Sequence, residues 1–396
     1  GYIAYCQKTG IISGYADGTF KPANSLTGYA FMKMLLGALG YKAEQEGYTG
    51  PNWSIQVAKR AMNIGLKDGL IGDFNGVKAV TREEACLYAF NTLQATMVEY
   101  NKNSTVTVGN ITIKEQSDAK EMANTAKTET IKDDNKMQFA EKYFEDLKLE
   151  KGSDDFGRPA NKWTYDKKDI GTYVNYDLLV SEYTTKVKGG DVYSDIGSVA
   201  ADYDLTYWVD GVKETDAKKI KAQSSQIAKK NDDTMFTSGK GALTQIFVDN
   251  DDEDLTIVEI NTYLAKTDDY NEKKETLKFN DVYGYGEVKL TKNRIKDVKD
   301  VELDDIASIK DYKDGDMVLL TIANGEVKTI TPAETVKGTE IDEFSKQDYV
   351  NAGQKYSYAA TGKLDGSFGI DELNNYDNKN LDDKTFDLYL DQYGYL

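Results

Sequence analysis

The chain has 396 residues, more than one ordinary core accommodates, so two to four domains are expected. Hydrophobic residues make up 40% of it, with no apolar run near twenty residues, so no membrane insertion is expected. A net charge of −18 argues against nucleic acid as a partner, because a phosphate backbone needs a basic face.

In chain order, residues 2–9 place Ile3 and Cys6 at helical spacing before a helix stop at Gly10. Gly10-Ile11-Ile12-Ser13-Gly14-Tyr15-Ala16-Asp17-Gly18-Thr19-Phe20-Lys21-Pro22 is a turn-rich loop. Beyond it, Thr27 can cap a helix over 27–39 with Phe31, Met34, Leu35, Ala38 and Leu39 on one stripe. A helix over 52–63 buries Trp53, Val57, Ala61 and Met62 and stops at Gly65. A third, over 81–97, buries Ala85, Tyr88, Ala89, Leu93 and Met97, and Thr81 with Glu84 makes a capping box. Cys6 and Cys86 fall on apolar helix faces and read as small buried thiols, with no disulfide framework.

The loop and helix recur. Gly65-Leu66-Lys67-Asp68-Gly69-Leu70-Ile71-Gly72-Asp73-Phe74 leads to Thr81-Arg82-Glu83-Glu84 after a shift of 55 positions at Gly10 and 54 at Thr27, an internal repeat. The nearly unbroken pattern over residues 10–22, the Thr-Arg-Glu-Glu helix start and the Trp53 opening resemble the S-layer homology (SLH) repeat of bacterial envelope proteins. The resemblance covers residues 1–98, about a quarter of the chain, and the loop at Asp73-Phe74-Asn75-Gly76 departs from the pattern.

The resemblance implies attachment to secondary cell-wall polysaccharide outside a bacterial cell, through Arg82 and Thr81, with Trp53 and the loop residues Tyr15, Asp17 and Gly18 beside them. Arg82 suits that role physically, because a cation in the first helical turn gains nothing from the dipole while its fork matches carboxylates. The alternative is a solvated surface Arg. Gly28 and Ala30 stand where the family has Arg and Glu, which weakens the first groove. Since SLH proteins are exported and usually carry three repeats, and Gly1-Tyr2-Ile3-Ala4-Tyr5-Cys6 reads as the middle of a helix, the resemblance implies further sequence upstream.

Residues 1–100 hold nine Lys+Arg and eight Asp+Glu, a net of +1, leaving −19 on residues 101–396. That step places a boundary near residue 98 between a near-neutral helical module and an acidic remainder. Val106 to Ile113 alternates around Gly109-Asn110 as a hairpin, 115–136 reads as a linker, and 139–149 as a short amphipathic helix with Phe139, Tyr143, Phe144 and Leu147. Phe156, Trp163 and Tyr165 mark an aromatic connection.

From 171 strands dominate, with Asp210-Gly211 and Asn324-Gly325 as hairpin turns, alternation at Phe386, Leu388 and Leu390, and one main helix over 216–229. The expected architecture is multidomain α + β: an all-α SLH-type helical repeat module over 1–98, a hairpin, linker and short helix over 99–170, then β-rich domains over 171–280 and 281–396 built of hairpins, small barrels or sandwiches.

With no histidine, Ser-His-Asp, Cys-His and His-based metal centres are excluded. No phosphate loop occurs between a strand and a helix, since Gly284-Tyr285-Gly286 lies between strands. The 67 Asp+Glu make chance carboxylate pairs certain, so none singles out a glycosidase. The densest acidic run offers Asp249, Asp251 and Asp254 to Ca²⁺, but Asp254 and Ile260 occupy the Gly and Glu places of an EF-hand loop. An acidic hairpin tip is the plainer reading, and no cofactor is expected. Arg60, Arg82, Arg158 and Arg294 stand against 45 lysines.

Three functional classes follow. The first is a structural surface-layer protein gripping wall polysaccharide and self-associating into a lattice, without catalytic residues; the others are a wall-anchored hydrolase and an anchored adhesin.

Overall fold

Side-chain caps set where two of the helices near the start of the chain begin. In this computed structural model, which describes residues 1–15, 17–101, 105–108, 111–114, 118–125, 129–236, 239–285, 298–345, 348–361, 381 and 384–396, helices form at α1 (Tyr2–Lys8), α2 (Gly28–Ala38), α3 (Trp53–Asn63) and α4 (Arg82–Gln94). Thr27 and Thr81 are extended and accept from the N–H groups of Ala30 and Glu84, satisfying a donor that the first turn leaves open. Glu84 accepts in return from the Thr81 N–H at 2.7 Å, which completes the capping box. Thr81→Ala is expected to cost about 1 kcal/mol, read as a lower urea midpoint at unchanged slope.

The helices bury Met32, Leu36, Leu39, Val57, Ala61 and Tyr88 in one core. The α2 stripe is therefore turned one position from the expected face, with Phe31 and Leu35 half-buried at its margin. On α4 the inward residues are Tyr88 and Thr92, the latter donating its hydroxyl to the Tyr88 carbonyl at 2.7 Å. Ala89 and Cys86 are exposed and Cys6 half-buried, which corrects the reading of both thiols as buried.

Chain contacts divide the protein into two units, residues 1–150 with 162–171 and residues 151–161 with 172–396. In the first unit β1 (Val98–Glu99) pairs antiparallel with β4 (Lys120–Glu121), and β2 (Thr105–Val108) with β3 (Ile111–Lys114). The Gly109-Asn110 turn of that hairpin lies outside the described residues, as do Ala16, Gly286 and Arg294. The expected linker at 115–136 is tied down among its described residues. Met122 N–H donates to the Met97 carbonyl and Met137 N–H to that of Met122, while Glu141 accepts from Thr130, Ile131 and Asn124.

Val98 joins the helical core, and Tyr100, Met122 and Phe139 pack against it. The boundary expected at 98 thus falls inside a unit. α5 (Phe139–Tyr143) ends short of 149 because Phe144 leaves helical geometry and Leu147 begins β5 (Leu147–Ser153). β5, β6 (Pro159–Tyr165) and β7 (Lys168–Val174) form a three-stranded sheet in that order, and Trp163 is buried 5.1 Å from the Phe90 ring.

The second unit opens with β8 (Leu179–Tyr183), α6 (Gly189–Ile196), α7 (Val199–Asp202), β9 (Asp204–Val209), β10 (Val212–Lys213), α8 (Ala217–Ile227), β11 (Leu243–Asp249) and β12 (Asp254–Ile260). The strands make one sheet in the order β10-β9-β12-β11-β8, antiparallel except for the β9–β12 pair. Val192, Ile196 and Ile227 cover its Tyr207, Val209, Ile246, Val248, Leu255 and Ile257 face. α8 is the main helix expected here, and α6 and α7 are two further ones that were not expected. An added Cβ at Gly189 would lie 2.4 Å from the Gln226 carbonyl oxygen and one at Gly190 2.8 Å from that of Lys230, so the pair allows close packing.

β13 (Tyr263–Thr267), β14 (Thr276–Leu277), β15 (Phe279–Val282), β16 (Val301–Glu302), β17 (Met317–Ala323) and β18 (Glu326–Pro332) follow. The second sheet runs β15-β13-β17-β18 and therefore crosses the boundary expected at 280. Asp210, Gly211, Asn324 and Gly325 all have positive φ, as type I′ turns require. β19 (Glu334–Glu340), β20 (Glu343–Ser345), β21 (Tyr349–Asn351), β22 (Lys355–Ser357) and β23 (Thr385–Leu390) make two further small antiparallel sheets, β19-β23 and β20-β21-β22. The fold is mixed, with helices and small antiparallel sheets and a β-rich C-terminal region. Among the described residues no helix is long and apolar enough to cross a membrane.

Candidate functional site

The two repeats meet where their capped helices begin. Gly28 N–H donates to the Lys78 carbonyl, Tyr29 N–H to Gly76 and Val80 N–H to Leu26, at 2.8–3.0 Å, with an antiparallel bridge between Thr27 and Ala79. The start of α2 is thereby stitched to the segment that ends at Thr81, and the two cap positions lie side by side. Gly76 permits this approach, since a Cβ there would sit 2.2 Å from the Tyr29 ring.

Aromatic rings extend the junction. Tyr29 meets Trp53 edge to face at 6.4 Å and Phe74 at 5.7 Å, and Phe74 meets Tyr88 at 6.0 Å. Trp53 is half-buried and packs against the helical core, so part of its ring is structural. Lys33 places its ammonium 5.4 Å from the Trp53 ring centroid, and burial pulls its pKa down. Sequence reasoning passed over Lys33, Tyr29 and Phe74; Tyr29 two places past Thr27 is the one local signal for them.

Arg82 is exposed at the first position of α4, and among the described residues no carboxylate pairs with it. Its guanidinium is therefore not committed to a neighbour within that part of the fold.

Tyr15, Asp17 and Gly18 form a self-closed loop. Asp17 accepts from the Thr19 N–H at 3.0 Å and the Thr19 hydroxyl at 2.6 Å and pairs with Lys21 at 2.8 Å. Lys21, with these bonds, holds the Asp17 carboxyl down to about 2. Gly18 N–H donates to the Tyr15 carbonyl, Lys21 stands 4.4 Å over the Tyr15 ring, and Asn24 donates to the Tyr15 hydroxyl. Upstream, a Cβ at Gly37 would lie 3.1 Å from the Gly10 carbonyl oxygen, which sets the start of the loop against the far end of α2. The observed contacts thus bring Trp53 and Thr81, with Arg82 next to it, to the opening of α2, whereas among the described residues Tyr15, Asp17 and Gly18 bond within their own loop and to Asn24.

Part of the acidic run is tied into its own turn and to a lysine. Asp249 accepts from the N–H groups of Asp251 and Asp252, and Lys151 lies 3.3 Å from Asp249 and 2.6 Å from Asp252. Among the described residues no group of three or more acidic, Cys or His side chains is placed to hold a metal ion. Of the three residues considered for Ca²⁺, Asp249 is taken up by Lys151 and its own turn, while Asp251 and Asp254 are exposed.

A family model described as the S-layer homology domain matches residues 1–28, which span α1, the Tyr15 loop and the Thr27 cap. Comparison with curated proteins gives no match, and comparison with solved structures gives none. The matched residues are the stretch whose loop pattern carries the resemblance, so over residues 1–28 this chain is similar to the S-layer homology domain.

Proposed function

We propose that this is a non-enzymatic structural protein of a bacterial surface layer, attached to secondary cell-wall polysaccharide by its SLH repeats and self-associating through its β-rich part. The S-layer homology match carries the reading, because such sequence associates a protein with the cell wall and surface. The repeat junction supports it. Arg82 offers a charge-assisted fork to an anionic sugar, Thr81 fixes the helix end that presents it, and Trp53 and Lys33 lie along the same junction.

The charge distribution is compatible with this arrangement. A near-neutral repeat region can approach an anionic polymer, whereas an acidic remainder is held away from it. Co-sedimentation with purified walls tests the proposal. The chain is expected to pellet with intact walls and to stay in solution once the non-peptidoglycan polymer is stripped; equal pelleting with both would contradict it.

A further inference from the structure

The unit of residues 151–161 and 172–396 holds a cleft of its own. The face of the β10-β9-β12-β11-β8 sheet opposite α6, α7 and α8 carries a cleft of about 340 Å³, within the size range of small-molecule sites. Trp208, Phe247, Thr206 and Thr256 line it from the strands, and Asn161 and Asn175 from outside the sheet. Gly157 lets the neighbouring loop lie on the indole, since a Cβ there would be 2.1 Å from the Trp208 ring.

The rim decides the ligand's charge. Lys151 is committed to Asp249 and Asp252, while Asp254, exposed beside them, has no ion pair among the described residues. Three carboxylates against one ammonium leave the lining at −2, and with the Lys213 ammonium 5.8 Å from the Trp208 ring centroid counted the balance is still negative, which repels an anion and favours a cation.

An indole can take the C–H face of a pyranose, amide and hydroxyl groups can both donate and accept, and a carboxylate fits an ammonium. We propose that this cleft binds an amino sugar, a pyranose bearing a free ammonium group, with Asp254 as its counter-ion and Trp208 as its apolar platform. The site is opposite in charge preference to the Arg82 junction and does not depend on it.

Calorimetric titration of the full chain with a glucosamine oligomer, its N-acetylated counterpart and a galacturonate oligomer tests this. The glucosamine oligomer alone is expected to bind, one per chain. Asp254→Asn should weaken it about tenfold, and Lys151→Ala, which frees two carboxylates, should tighten it several-fold. Glu334→Gln removes the same charge elsewhere in this unit and should change nothing; circular dichroism checks that each variant is folded. Absence of glucosamine binding, equal binding of the N-acetylated oligomer, weaker binding by folded Lys151→Ala, or equal losses in Asp254→Asn and Glu334→Gln would overturn the proposal.

Discussion

Asp210→Ala is expected to destabilise the β-rich unit by about 3–5 kcal/mol, near the top of the range for single substitutions. Asp210 is fully buried in the type I′ turn between β9 and β10. Its carboxyl accepts from the Asn261 N–H at 2.8 Å, the Asn261 amide at 3.0 Å and the Tyr263 hydroxyl at 2.6 Å. Asn261 and Tyr263 stand where β12 passes into β13, so one side chain fastens the first sheet to the second. Alanine leaves three buried donors without an acceptor, and each carries a desolvation cost.

The same carboxyl gives stability a pH dependence. Burial pushes it up to about 6 despite the three donors, whereas the unfolded chain releases the proton near 3.8. Between those values the folded state binds more protons, so the stabilisation from protonation is complete below the unfolded value and is lost as pH rises through about 6. The change is about 3 kcal/mol. Urea unfolding of the wild type and Asp210→Asn from pH 4 to 7 reads it: the advantage of the wild type should shrink by that amount across the window. A constant difference would show that the group titrates alike in both states.

Gly76→Ala is expected to cost about 3 kcal/mol in the other unit. The new methyl would lie 2.2–2.4 Å from three carbons of the Tyr29 ring. That ring is held between Trp53 and Phe74 and cannot swing aside without unpacking the aromatic chain that ends at Tyr88. Backbone strain adds nothing, because Gly76 is not among the glycines with positive φ. A thermal melt followed by circular dichroism should shift down by on the order of 10 °C. Gly50→Ala is the control for glycine chemistry alone: it meets open space but has a φ of 76°, so it should lose only the smaller cost of a left-handed alanine.

Local chemistry was legible and burial was less so. Thr27, Thr81 with Glu84, Asp210-Gly211 and Asn324-Gly325 announce caps and turns because each mechanism acts within four residues. The core face of α2 was read one position off, because Phe31 and Met32 are both apolar and only the partners in α3 and α4 decide between them. Gly189 and Gly190 serve contacts with residues near 226–232, far along the chain, which nothing beside them in the sequence announces.

The site shows the same division. Arg82 and Trp53 could be named from the repeat, but Lys33 over Trp53 and the Tyr29–Phe74 link depend on how the repeats dock. Asp210 was visible as a turn residue and invisible as a buried acceptor, since nothing near it in sequence indicates the Tyr263 hydroxyl.

The central claim, attachment through the repeat junction, is tested most directly by the affinity of the full chain for polymer released from purified walls, measured for the wild type and Arg82→Ala. An exposed Arg contributes little to stability, so the variant should unfold with the wild type. The predicted result is weak wild-type binding that falls with added salt, because its main component is ionic, and at least a tenfold loss in Arg82→Ala. Unchanged affinity in an Arg82→Ala chain whose circular dichroism and melting match the wild type would contradict the account.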